Sequence, residues 1–205
     1  MFAGLAHYWL MAKNEVRIIG GKWRGRKLRF PNVSGLRPTM DRSRETLFNW
    51  LQGYLPGAHC LDLFAGAGAL GFEAASRGAA CVDMVDNNAR VIQSLQAAHQ
   101  QLAATNIEIF RRDGLRFLAS AQKRYEIVFL DPPFASDLAT QALTHLYTEQ
   151  GRLLTANALV YVEIARRGGD VWRTDQWLVQ RDKAMGERRC ILLTPAGSNQ
   201  ASPPA

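Results

Sequence analysis

The chain has 205 residues, 47% of them apolar. That is long enough for a self-sufficient domain burying about 70% of its unfolded surface, with no apolar run of the roughly 18 residues a membrane span needs. The net charge of +7 is unevenly placed: residues 13–44 hold ten Lys/Arg against two acids, and the remainder fifteen against sixteen. An excess confined to one N-terminal segment favours a polyanionic partner, the plainer alternative being a solvated basic face. Cys60, Cys81 and Cys190 have no metal-ligand spacing, and His7, His59, His99 and His145 are scattered. They exclude a zinc framework and a disulfide scaffold, no metal is expected, and the cysteines read as buried residues of a reducing, cytoplasmic compartment.

Residues 1–12 are apolar but lack the basic leader and cleavage pattern of a signal peptide. Met11 opens a more natural beginning, so this stretch is expected to be a disordered extension. Residues 16–30 (VRIIGGKWRGRKLRF) read as a basic β-hairpin with strand-like runs 17–19 and 27–30 around Gly20, Gly21 and Gly25. Arg17, Lys22, Arg24, Arg26 and Lys27 are interleaved with Trp23 and Phe30, a mixture that can engage phosphates and stack bases. Trp23 reads equally well as a core residue. In 35–51 (GLRPTMDRSRETLFNWL) a loop leads into an amphipathic helix that turns Leu47, Phe48 and Leu51 inward. Arg37, Thr39, Arg42 and Arg44 would extend the positive surface.

From residue 58 strands and helices alternate, which implies an α/β fold with a largely parallel sheet. Strands are expected at 58–64, 80–86, 107–112, 125–131 and 158–165. Helices are expected at about 69–77, 88–103, 114–121 and 137–150. A terminal hairpin, 176–183 with 188–194, closes the sheet, and 195–205 is a low-complexity tail expected to be disordered. The domain division is thus 13–52 for RNA binding and 53–194 for the catalytic sheet. No heptad or exposed apolar stripe calls for a dimer, so a monomer is expected.

The run Leu61-Asp62-Leu63-Phe64-Ala65-Gly66-Ala67-Gly68-Ala69-Leu70-Gly71 reads as strand, glycine turn and helix start. It contains G-x-G-x-x-G, with Asp86 20 residues after Gly66, the pattern of a dinucleotide site. Asp62 argues against that reading, because a carboxylate there repels a pyrophosphate and attracts a sulfonium and an amino group. Asp62 with this turn looks like the first motif of the seven-stranded S-adenosylmethionine-dependent methyltransferases. Ligands in such sheets bind beyond the strands' carboxyl ends. Asp62, Asp86, Asp113 and Asp131 fall at four successive ends, Asp86 suited to ribose hydroxyls and Asp113 to an adenine amino group or a helix cap.

Asp131-Pro132-Pro133-Phe134 combines an acid, a stiff prolyl turn and an aromatic ring. The Asp131 carboxylate and Pro132 carbonyl can accept the two N–H bonds of an exocyclic amine, and Phe134 can stack on its ring. The tetrapeptide is similar to the (D/N/S)-P-P-(Y/F/W) motif of amino-group methyltransferases, which by itself does not choose among adenine, cytosine, guanine and glutamine amide. RIIGGKWRGRKL at 17–28, GLRPTMDRSRETLFNWL at 35–51, LDLFAGAGALGFEAASRGA at 61–79 and DPPF at 131–134 together resemble the RsmD family, over about residues 16–194. Those enzymes methylate guanine N2 in bacterial 16S rRNA. The resemblance implies a Rossmann-like seven-stranded sheet carrying the basic hairpin. It implies cofactor contacts at Asp62, Phe64, Ala65, Gly66, Gly68, Asp86, Asn87, Asp113 and Gly114, and base contacts at Asp131 to Phe134. It also implies RNA contacts along the hairpin and the Arg37–Thr39 loop, with Lys183 near the base, in an assembled or assembling small ribosomal subunit. The competing readings are a DNA adenine-N6 methyltransferase, an NAD-dependent oxidoreductase and a non-catalytic RNA-binding assembly factor.

Overall fold

The computed structural model describes residues 14–33, 41–133, 136–173 and 175–197. Two strands, β1 (Glu15–Arg17) and β2 (Lys27–Arg29), pair antiparallel around a short 3-10 turn, Gly21–Trp23. Helix α1 (Asp41–Trp50) leads to the main sheet, whose strands are β3 (His59–Asp62), β4 (Cys81–Asp86), β5 (Ile107–Arg111), β6 (Tyr125–Leu130), β7 (Leu154–Ala165), β8 (Trp177–Met185) and β9 (Arg188–Pro195). Their order is β5-β4-β3-β6-β7-β9-β8, parallel from β5 to β7 and antiparallel at β9. This is the seven-stranded sheet that the resemblance implied. The first hairpin strand lies two residues earlier than the sequence pattern suggested. The chain also stays in the sheet through Pro195, inside the stretch read as tail; Ala196 N–H then donates to the Gln176 carbonyl at 2.7 Å.

Both sheet faces are covered, which is why the strands are nearly continuous apolar runs. Alternation then sorts them. Cys60, Val82, Met84, Ile127, Phe129 and Tyr161 join a core with α1, α2 (Ala69–Ser76), α3 (Ala89–Leu102) and the basic hairpin. Leu61, Leu63, Val85, Val128, Leu130 and Val162 join a second core with α4 (Gly114–Ser120), α5 (Leu138–Thr148) and α6 (Gln150–Leu153).

The hairpin is fixed to α2 by one fully buried carboxylate. Glu73 accepts from Ile19 N–H and Gly20 N–H, both at 2.7 Å, and from Arg77 Nε at 2.7 Å. Arg44 of α1 brings a second guanidinium to 3.6 Å. One turn on, Ser76 Oγ accepts from Trp23 N–H at 2.9 Å and donates to the Gly20 carbonyl at 2.6 Å. The approach is so close that a Cβ on Gly21, whose φ is +73°, would meet the Ser76 carbonyl oxygen at 1.8 Å.

This overturns one expectation about the positive surface and decides between two readings of another residue. Arg44 is fully buried and its charge is spent on Glu73, and Trp23 is a core residue, only 9% exposed, with Lys22 Nζ 4.2 Å above its ring. Removing one partner of a buried ion pair strands the other charge. Glu73→Ala should therefore cost about 3–5 kcal/mol of unfolding free energy, measured by urea denaturation.

Candidate active site

The strand ends gather the acids. Asp62 closes β3 with 1% of its surface exposed, and its Oδ2 accepts the Gly71 N–H at 2.9 Å. The bond joins β3 to the first turn of α2, where that amide has no helical partner. Between them, Gly66 (φ +50°) and Gly68 (φ +76°) take the left-handed conformation that glycine permits. Asp86 closes β4; its Oδ2 accepts Gly66 N–H at 3.1 Å and its Oδ1 accepts Asn88 N–H at 2.8 Å. The glycine turn is thus held by the acid of the neighbouring strand.

Asp113 follows β5 and caps α4, accepting Arg116 N–H at 3.0 Å. A carboxylate has further lone pairs, so capping and ligand binding are compatible there. Gly114, at the start of α4, packs so tightly that a Cβ would lie 3.0 Å from the Phe64 ring. Ala65 is buried and donates its N–H to the Val85 carbonyl at 2.9 Å, and Asn87 is exposed beside Asp86.

The electrostatics of this row identify the charge of its ligand. Burial pushes the Asp62 carboxyl up to about 7, against the opposing Gly71 hydrogen bond, and the nearby Asp131 and Asp86 add to the rise. Burial likewise raises Asp86. Mutually repelling acids beside bare glycine backbone disfavour a pyrophosphate and fit the amino group and sulfonium of S-adenosylmethionine. Asp62, Asp86 and Asp113 with the Gly66–Gly68 turn would hold it.

Asp131 follows β6, beside Asp62's strand. Pro132 is buried and Pro133 exposed; the Pro133 carbonyl closes the turn by accepting Ser136 N–H at 3.1 Å and Ser136 Oγ at 2.6 Å. The Pro132 carbonyl accepts no hydrogen bond among the described residues. Phe134, Arg37, Thr39 and the side chain of Arg42 lie outside them.

Sequence reasoning missed what flanks Asp131. Arg188 of β9 places Nη1 3.9 Å from Asp131 Oδ2 and contacts Glu163 of β7, which is fully buried. Tyr161 donates its hydroxyl proton to Glu163 Oε2 at 2.8 Å, and the Cys190 thiol lies 3.2 Å from that hydroxyl. The available signal was Glu163 itself, a lone charge inside the apolar run ALVYVEIA. Burial of a charge needs a counter-charge, and the antiparallel return of β9 supplies it in Arg188.

The basic residues are strung out and do not ring the base. Trp23 N–H meets Ser76 at the last residue of α2, and Arg26 Nη2 reaches the Gln101 carbonyl at 3.5 Å near the end of α3. Lys22, Arg24 and Arg26 are exposed at the hairpin tip. The 14 residues of α3 put that tip about 20 Å from the strands' carboxyl ends. Arg17 and Lys27, paired in register, are exposed along the strands, with Lys27 and Arg29 each 3.3 Å from Glu15. Lys183 is exposed on the edge strand, two strands out from Glu163. At about 4.8 Å per strand it borders the site and does not enter it.

The chain is similar to known proteins over most of its length. A family model described as Conserved hypothetical protein 95 matches residues 16–194. The chain is 43% identical over 173 residues to ribosomal RNA small subunit methyltransferase D of Escherichia coli K12, covering 84% of this chain and 86% of that one. It is also 43% identical over 179 residues to the protein of the same name from Haemophilus influenzae, covering 85% and 91%. A solved structure described as a methyltransferase from Escherichia coli superposes with a TM-score of 0.77 at 41% identity, over 87% of this chain and 97% of that one. One described as a methylase from Haemophilus influenzae gives 0.73 at 39%, over the same shares.

The Asp62 carboxyl, raised from 3.8 to about 7, contributes stability that is fully present below about pH 4 and is lost progressively as pH rises to about 7. Asp62→Asn keeps an oxygen for Gly71 and never ionises. The variant should melt several degrees above the wild type at pH 8, with the difference shrinking as pH falls and vanishing below about pH 4, while calorimetry shows at least tenfold weaker binding of S-adenosylmethionine.

Proposed function

The chain belongs to the family of ribosomal RNA small subunit methyltransferase D, and we propose that it transfers a methyl group from S-adenosylmethionine to the exocyclic N2 of a guanine in 16S rRNA. The observation that carries the reading is the juxtaposition of Asp131-Pro132 with the acidic, glycine-turned pocket at the adjacent strand ends. When bound, S-adenosylmethionine supplies an electrophilic methyl group on a sulfonium. The chain's part is positioning and charge. Asp62 and Asp86 hold the cationic donor, and the glycine turn lets it lie against backbone. The target guanine is turned out of its stack toward Asp131, since chemistry on a base requires exposing it. Asp131 and the Pro132 carbonyl accept the two N2 hydrogens, which aims the nitrogen lone pair away from them. The Asp131 carboxylate also stabilises the positive charge that grows on N2 as it is methylated. Fixing two reactants in line supplies much of such a rate enhancement.

The exposed hairpin cations grip RNA backbone well away from the target. This favours an extended, structured substrate, in the cytoplasm where small subunits assemble, and a monomer suffices for it. Among the described residues no helix is long and apolar enough to cross a membrane.

The test is to incubate the protein with labelled S-adenosylmethionine and small subunits lacking the modification, then digest the RNA to nucleosides. Label in N2-methylguanosine, lost with Asp131→Ala, is the expected outcome. Label in N6-methyladenosine, or turnover unchanged in Asp131→Ala, sinks the assignment. Removing the tip cations together (Lys22→Ala, Arg24→Ala, Arg26→Ala) should raise KM with kcat nearly unchanged. The same variant should flatten the slope of log affinity against log salt by about 2 to 3.

A further inference from the structure

Resting on this reading of Asp131, we propose that Arg188, held between Glu163 and Asp131, is a positioning residue that holds the Asp131 carboxylate ionised and oriented for the amine. The three side chains form a graded charge relay across adjacent strands. Glu163 and Cys190 are register partners on β7 and β9, and Arg188 stands two residues before Cys190 on the same face. Asp131 follows β6, whose Leu130 pairs with Val162. Asp131 therefore sits level with Glu163, and the guanidinium reaches both.

The inequality of the two contacts matters. A guanidinium bound squarely to Asp131 would fill the lone pairs that the amine needs and cancel the charge that stabilises the methylated nitrogen. Here it is drawn to Glu163, which has no exposed surface, and stays 3.9 Å from Asp131 Oδ2. That is near enough to favour the ionised form and too far for a hydrogen bond. Glu163 is held in turn by the Tyr161 hydroxyl at 2.8 Å. Burial keeps that hydroxyl and the Cys190 thiol protonated, the first well above its ordinary range and the second above its own. The trio carries one net negative charge, suited to a nitrogen that becomes positive.

Other charges facing Asp131 act the other way or are already engaged. Asp62, from β3, repels it; Arg44, from α1, is committed to Glu73; Lys183, on β8, is exposed at the border. Among the described residues, Arg188 is thus the cation placed to offset the acid row.

The experiment is the pH profile of kcat, with saturating S-adenosylmethionine and small subunits lacking the modification, for the wild type, Arg188→Met, Arg188→Lys and Glu163→Gln. A limb arising from Asp62 is common to all four, so the displacement between variants is the readout. Arg188→Met should move the acid limb up by about one pH unit or more, with activity recovering at high pH, while Arg188→Lys keeps it near the wild-type position. Glu163→Gln frees the guanidinium to occupy Asp131, so kcat should fall at least tenfold with no upward movement of the limb. Binding of S-adenosylmethionine should stay within about twofold in every variant that melts as the wild type does. An Arg188→Met enzyme with an unmoved limb, or a Glu163→Gln enzyme with wild-type kcat, overturns the proposal. Should Arg188→Met fail to fold, Glu163→Gln alone decides it. A wild type that labels a nucleoside other than N2-methylguanosine overturns instead the reading of the site.

Discussion

The carboxylate of Glu73 is the point on which the two parts of the molecule meet. It lies inside α2, the helix that begins at the glycine turn, and it serves two amides of the basic hairpin, one guanidinium of α1 and one at the end of its own helix. A buried charge is tolerated only when paired and hydrogen-bonded, so hairpin, α1 and α2 are mutually obligatory. The helix that begins at the glycine turn therefore anchors the basic hairpin near its other end. The basic segment is a fixed outrigger of the main sheet.

Asp62 represents the opposite treatment of the same chemical group. It is as buried as Glu73, yet it has one amide for support and two other acids nearby. The strain is useful because the ligand brings the missing positive charge. Glu163 is the intermediate case, given a guanidinium that it shares with an acid at the site. Three buried carboxylates thus do three jobs, set by how completely the fold neutralises each.

Much of this was legible in the sequence because it depends on local chemistry. Alternating apolar runs marked the strands, Gly66 and Gly68 marked a turn with positive φ, and acids at four successive strand ends marked the ligand edge. What stayed hidden depends on pairing across long sequence separations. Arg44 reads as one more basic residue until Glu73, 29 positions on, is seen to need it. Trp23 reads equally as a stacking platform or a core residue until Ser76 fixes its backbone against a helix. Arg188 reads as surface charge until the antiparallel return of β9 sets it beside Asp131. In each case the burial of a distant polar group decided the outcome, and periodicity carries no record of that.

The distances constrain the substrate further than the motifs do. The tip cations lie about 20 Å from the strand ends. A single nucleotide, or a short unstructured strand tethered only at the pocket, would leave them without contacts. An A-form segment or a folded rRNA junction can present backbone phosphates at that separation while one base is turned out. Phosphate contacts at the tip carry no sequence information, but they fix the register of the RNA over the site. On the proposed function, the choice of nucleotide would rest on two unlike requirements met together: an amine that fits between Asp131 and Pro132, and a backbone shape that meets the outrigger. Neither needs to be highly selective alone, because a guanine in the wrong fold fails the second and another base in the right fold fails the first.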